Sequence, residues 1–324
     1  MMTARKFSCV APVLAALALC ASARAEEARC ASPATPANLS NYRPVFLACE
    51  NAAGAKKLAM RRMSAGNETL LLAVDPQSLK TSLEREACWR CAETTDEKEI
   101  DTRFLRALQK PPEGAVAKAL ENAGLTHSPS DAGAFVTADL CPSRRPLDRD
   151  FLERFAKEGP GTPIALSVSG RWLAHHAADL AWLKAQAASG ALKISWVNHS
   201  YSHPFVRNRP DDRTYLLTQG VDIDREIFET EKLMIIDGLT PSVFFRFPGL
   251  VSDDGLMAKL RERHLVALGA DAWVALGFEP RPGSIVLLHA NGNEEVGLRL
   301  FSRLLDENRV ARPLRPIEEA PAER

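Results

Sequence analysis

"LKISWVNHSYSHPF", residues 192–205, decides how the rest of the chain is read. Its first half collects Leu192, Ile194, Trp196 and Val197, the apolar, branched and aromatic residues of a buried strand. Its second half turns polar, with His199 and His203 four apart. On a helical turn that spacing puts both rings on one side, within reach of one cation. Ordinary surface helices carry the same spacing, so the surroundings must decide.

From about residue 130 the surroundings are regular. "GAFVTAD", "PIALSVSG", "LKISWVNHS", "SVFFRF", "LVALGAD" and "GSIVLLH" read as six strands. The intervening stretches "PLDRDFLERFAKEG", "RWLAHHAADLAWLKAQAASG", "VDIDREIFETEKLMIIDGL" and "DDGLMAKLRERH" read as helices, and "EEVGLRLFSRLLDEN" as a last one. Repeated strand–helix units with apolar strands predict a parallel sheet covered by helices. Periodicity alone leaves open sheet and closed barrel unseparated. Asp139, His199, Arg246, Asp271 and His289 each fall at or just past the C-terminal end of an expected strand. In parallel α/β folds that edge is where ligands bind. Asp139, ending an apolar strand, suits a general base. The Arg246 guanidinium suits a partner that keeps it ionised. His289 suits a proton donor. Each has a bland counterpart: a turn residue, a structural ion pair, a satisfied core histidine.

Composition sets the limits. The chain has 324 residues, 46% of them hydrophobic, and 41 basic residues balance 41 acidic ones. Zero net charge gives no field favouring nucleic acid, which is not expected as a partner. Residues 1–25 combine Arg5 and Lys6, a short apolar run and "ARA" before Glu26, the pattern of a cleaved secretory signal. That places the mature protein outside the cytoplasm, secreted or periplasmic, with no integral membrane span once the signal is removed. A retained anchor, or lipid attachment at Cys20, is the alternative.

Five of the seven cysteines lie past that segment: Cys30, Cys49, Cys88, Cys91 and Cys141. An exported chain favours disulfides, so two bridges are expected before residue 100, leaving Cys141 over. "CWRC" at 88–91 as a redox pair and a four-cysteine zinc site are the other readings. Residues 26–125 form an accessory region of unassigned role, with one expected strand at 69–76 and helical spacing at 101–125 interrupted by Pro111 and Pro112.

"TADLCPS", "NHSYSH", "RFPG", "DAW" and "IVLLH" resemble, in order and approximate spacing, the motifs of the polysaccharide deacetylase family, the NodB-homology domain of carbohydrate esterase family four. The resemblance covers roughly residues 130–312, so that a catalytic domain at 126–312 and a tail at 313–324 are expected. It implies a distorted (β/α) barrel that removes N- or O-acetyl groups from a polysaccharide or glycan using a divalent metal. Zinc is expected first, with cobalt, nickel or iron also suiting imidazole. Carried onto this sequence, Asp139 is the base, Arg246 its positioner, and His199 and His203 are metal ligands. His289 is the acid, Asp271 orients it, and Trp273 and Pro248 border the substrate. One departure stands out. The family's first motif has a second, metal-binding aspartate, and here that position is Leu140, followed by Cys141. Four outcomes stay open: Asp139 turns to the metal, the two histidines hold a weaker ion, Cys141 ligates, or the protein binds carbohydrate without turnover. Hydrolysis of a small amide is a further reading.

Overall fold

The computed structural model describes residues 30–108, 120–130 and 132–322. The signal-peptide reading and the Pro111–Pro112 interruption fall outside those residues. Among the described residues no helix is long and apolar enough to cross a membrane.

Five strands open the chain: β1 (Ser40–Asn51), β2 (Lys56–Ala65), β3 (Glu68–Val74), β4 (Thr81–Arg85) and β5 (Trp89–Glu93). They form one antiparallel sheet in the order β4-β3-β2-β1-β5. Only β3 was expected. Alternation in β2 is masked by charged residues, above all Arg61, which is fully buried. Two disulfides staple the sheet. Cys49 and Cys91 stand opposite each other on β1 and β5 and are bonded, and Cys30 is bonded to Cys88. The cysteines of "CWRC" therefore join different partners, which removes both the redox pair and the four-cysteine zinc site. Cys141 is the free cysteine among the described residues.

The remaining strands are β6 (Leu120–Glu121), β7 (Phe135–Leu140), β8 (Thr162–Val168), β9 (Leu192–Asn198), β10 (Pro241–Phe245), β11 (Val251–Ser252), β12 (Val266–Ala267), β13 (Ala272–Trp273) and β14 (Ile285–His289). Seven of them make a curled, all-parallel half-barrel in the order β12-β10-β9-β8-β7-β14-β13. The α/β fold expected from the strand–helix alternation is thus the one found. The expected fifth strand, "LVALGAD", splits into β12 and β13. Between them the chain leaves the sheet to bond residues 122–125: the Gly269 amide donates to the Leu125 carbonyl at 2.9 Å, and the Ala270 amide to the Asn122 side chain at 2.9 Å. Ser128 reaches the other side, its amide donating to the Gly283 carbonyl at 2.8 Å. Residues 122–128 thereby bridge the gap that strand pairing leaves open.

Period-two alternation sorts β7 cleanly. Val136, Ala138 and Leu140 face outward into a core shared with Phe155, Leu183 and Phe301 of the covering helices. Thr137 and Asp139 face inward. The helices are α1 (Asp96–Glu99), α2 (Arg103–Ala107), α3 (Arg149–Phe155), α4 (Gly170–His175), α5 (Ala177–Ala188), α6 (Ile223–Ile236), α7 (Asp254–Glu262) and α8 (Glu295–Asp306). The single helix expected over 171–190 breaks between α4 and α5 at His176, whose backbone is non-helical (φ −121°, ψ 41°). The His176 ring lies 3.0 Å from the Asp179 carboxylate and 2.9 Å from the Ser143 carbonyl, partners that favour the break.

The antiparallel sheet is not a detached unit. Leu58, Met60, Leu72 and Val74 share one apolar cluster with Ala165, Val197, Phe244 and Leu287 of the half-barrel. The C-terminal stretch joins it through Ile317 and Ala320, so the expected tail is packed. Beside this cluster the Arg61 guanidinium grips the Glu231 carboxylate of α6 by two bonds of 2.7 and 3.0 Å. It also donates to the Arg263 carbonyl at 2.8 Å, and the Tyr42 hydroxyl donates to Glu231 at 2.7 Å. Both charges are buried, so losing one partner leaves the other uncompensated. Arg61→Ala is expected to cost about 3–5 kcal/mol in denaturant unfolding. The double variant Arg61→Met, Glu231→Leu should recover most of that loss.

Candidate active site and metal centre

The site begins with Arg246, one residue past β10 and fully buried. Its Nη1 donates to Asp139 Oδ1 at 2.8 Å and to Thr137 Oγ1 at 2.6 Å, both on the inner face of β7. Nη2 donates to the Gly269 carbonyl at 2.9 Å and Nε to the Leu268 carbonyl at 3.3 Å. Burial works against an Asp139 charge, but the Arg246 charge, and then those of His199 and His289, outweigh it and hold the carboxyl at about 2. Oδ1 is engaged, while Oδ2 lies 3.6 Å from His199 Nε2.

His199 and His203 do come together, with ring centroids 4.8 Å apart. The cause is not a helical turn. Residues 199–206 form a loop in which Ser200 (φ 65°) and His203 (φ 46°) take left-handed backbone. The His203 amide donates to Ser200 Oγ at 3.2 Å, and the Ser200 amide to the Asn198 side chain at 3.0 Å. Left-handed backbone in a non-glycine residue is strained, and such strain concentrates at working sites. His199 Nδ1 donates to the Arg246 carbonyl at 2.9 Å, which leaves Nε2 facing the cavity with its lone pair.

Leu140 faces away from the cavity. Its side chain is fully buried in the outer core, on the opposite face from Asp139. Cys141, two residues after Asp139, shares its side of the chain and lies 3.6 Å from His199 Nε2. Burial disfavours a Cys141 thiolate, but the His203 charge and hydrogen bonds from His199, His203 and His289 bring its pKa well below the usual thiol range.

His289, ending β14, closes the far wall. Its Nδ1 bonds Glu294 at 2.8 Å, and the Trp273 indole N–H donates to the same carboxylate at 3.2 Å. Burial would lower the His289 pKa, but its Cys141 and Glu294 hydrogen bonds raise it to about 10. Glu294 thus fills the place expected for Asp271. Asp271 stands ahead of β13, where it bonds His127 at 2.7 Å and accepts from the Ile285 amide at 3.0 Å. Ile285 starts β14, so His289 lies four residues, about 13 Å, along the strand from it. Asp271 therefore does not orient His289. Glu294 was passed over as the first residue of an expected helix, although a carboxylate five residues after a strand-end histidine was a usable signal.

Asp139, Cys141, His199, His203, Trp273 and His289 line one cavity of about 410 Å³. Gly249 and Leu250 line it too, whereas the expected substrate neighbour Pro248 is buried at the start of their turn. Gly249 is required there: a Cβ would meet the Tyr215 ring at 2.4 Å, and that ring also stands edge-on to His203. Phe205, packed on Tyr215, is 59% exposed at the mouth.

The residues fit a metal. One donor atom from each of Cys141, His199 and His203 lies within 4.8 Å of the others. Ligand atoms around a tetrahedral zinc stand roughly 3.3–3.7 Å apart, given bonds of about 2.0–2.3 Å. The cluster closes on one ion by moving about an ångström.

No protein-family model matches the chain. Among solved structures it is similar in fold to a family 4 carbohydrate esterase from Bacillus anthracis, at 15% identity and TM-score 0.47, covering 65% of this chain and 100% of that one. It is also similar to Bacillus subtilis PdaA, a family 4 carbohydrate esterase (15% identity, TM-score 0.42, 61% of this chain and 84% of that one). A CE4 family pseudoenzyme from Bacillus anthracis is a third (16% identity, TM-score 0.43, 63% of this chain and 70% of that one).

Because Leu140 belongs to the core, Leu140→Asp is expected to destabilise the fold by about 3 kcal/mol or more rather than add a ligand. Thermal unfolding and zinc stoichiometry of the remaining folded protein check this; tighter zinc binding would reverse the assignment.

Proposed function

We propose that this protein is an exported, metal-dependent hydrolase that removes acetyl groups from an N- or O-acetylated glycan. The observation that carries the reading is a buried carboxylate, fixed by Arg246, facing His199 and His203 in the cavity that His289 closes. A divalent ion, zinc first among candidates, would be held by His199 and His203. When bound, it supplies Lewis-acid polarisation of the acetyl carbonyl and lowers the pKa of water at the site.

The chain's own groups do the rest. Arg246 occupies Asp139 Oδ1, so Oδ2 is the oxygen left to take a proton from water. Glu294 holds His289 by Nδ1, which leaves Nε2 for the cavity, placed to give a proton to the departing nitrogen or oxygen. Trp273, Tyr215 and the exposed Phe205 offer apolar faces to a sugar around the polar centre. Two disulfides suit an oxidising compartment. Carbohydrate binding without turnover is the second reading; the absence of a carboxylate at position 140 supports it.

Asp139→Asn should lower acetate release from a panel of acetylated glycans by about 10²–10⁴-fold while zinc content stays constant. Wild-type protein that carries metal, binds glycan and frees no acetate would overturn the hydrolase. Glu294→Gln removes the charge from the His289 partner. It should cost roughly 10–100-fold in turnover and move the alkaline limb of the kcat profile to lower pH, since a histidine whose pKa is raised loses its proton earlier when that support goes. An unshifted profile would separate Glu294 from the acid.

A further inference from the structure

Three side chains converge on the cavity floor, and two of them already have a role. The third, Cys141, is explained by neither the apolar core nor a disulfide. It is nine-tenths buried, yet it lines the polar cavity with its sulfur 3.6 Å from the Nε2 of His199. Its backbone is anchored from behind, where the buried Asn291 side chain donates to the Cys141 carbonyl at 2.8 Å.

Asp139 is poorly placed to be a metal ligand as well. One of its oxygens is committed to Arg246, and the base role needs the other. Leu140 points into the opposite core. Of residues 139–141, that leaves 141 as the one whose side chain reaches the histidines and has no other task. The His199 tautomer agrees: Nδ1 is spent on the Arg246 carbonyl, so the nitrogen next to the sulfur is the one with a free lone pair.

We infer that Cys141 is the third protein ligand of the metal, completing a Cys–His–His centre in which sulfur takes the place of a carboxylate. The inference rests on the metal site proposed above. Three protein ligands with an open fourth position is the arrangement of catalytic rather than structural zinc. Sulfur also changes which ion is held. A thiolate favours zinc, and cobalt as its probe, over the hard ions magnesium, calcium and manganese that oxygen ligands suit.

The test uses full-length mature protein, stripped of metal and reloaded with zinc alone or cobalt(II) alone. Wild type should take up one equivalent of either. The cobalt form should show a near-ultraviolet sulfur-to-cobalt charge-transfer band. Cys141→Ser should abolish the band and weaken zinc binding by at least about 100-fold, beyond the 10–100-fold typical of outer-shell partners. Cys141→Asp, which supplies an oxygen ligand, should recover zinc without the band and guards against a variant that merely fails to fold. Peptide-mapped alkylation of Cys141 should be blocked by zinc and reopened by chelator. A cobalt spectrum without a sulfur band, or a Cys141→Ser variant with unchanged zinc affinity, overturns the inference and leaves the hydrolase standing if acetate is released. A sulfur band with no acetate from any glycan overturns the hydrolase and leaves the ligand standing. A wild type that takes up no metal overturns both.

Discussion

The buried guanidinium of Arg246 is the constraint on which the site depends. Its donors reach Asp139 and Thr137 on β7 and the carbonyls of Leu268 and Gly269 past β12. Its own carbonyl accepts a hydrogen bond from His199 Nδ1, and its amide donates to the Asn198 carbonyl at the end of β9. One residue therefore fixes the ionisation of the carboxylate, the tautomer of the histidine and the spacing of three strands. An unpaired charge at full burial would be costly, so the pair with Asp139 is a requirement of folding and of chemistry at once.

Much of this was legible in the sequence because strand–helix alternation puts polar residues at strand ends, and the parallel fold gathers those ends. Asp139, His199, Arg246 and His289 were placed together for that reason, and His203 by its spacing from His199. The misreadings are equally physical. Asp271 was assigned to the end of one strand, whereas the chain breaks there to bond Asn122 and Leu125, so Asp271 precedes the next strand. The histidine spacing suggested a helix, but two left-handed residues bring the rings together instead. In the first sheet, β2 escaped notice because a buried arginine and its charged neighbours hide its alternation.

Outside the cavity, the polar groups read as architecture. His176 and Asp179 divide one helix from the next, and Asp271 with His127 and Ser284 ties the beginnings of β13 and β14 to residues 122–128. These clusters resemble catalytic constellations in composition. They differ in that the carboxylate oxygens of Asp179 and Asp271 are all taken by neighbours of the same scaffold.

The sheet formed by β1–β5 has a consequence beyond its own fold. Its apolar face is the stopper of the half-barrel: Met60 and Leu72 lie in the same cluster as Val197, Phe244 and Leu287. Cutting the gene at the seam near residue 126 would leave the barrel with an oily, water-exposed base, and the stapled sheet with a bare hydrophobic side. Each part therefore depends on the other to cover its apolar side.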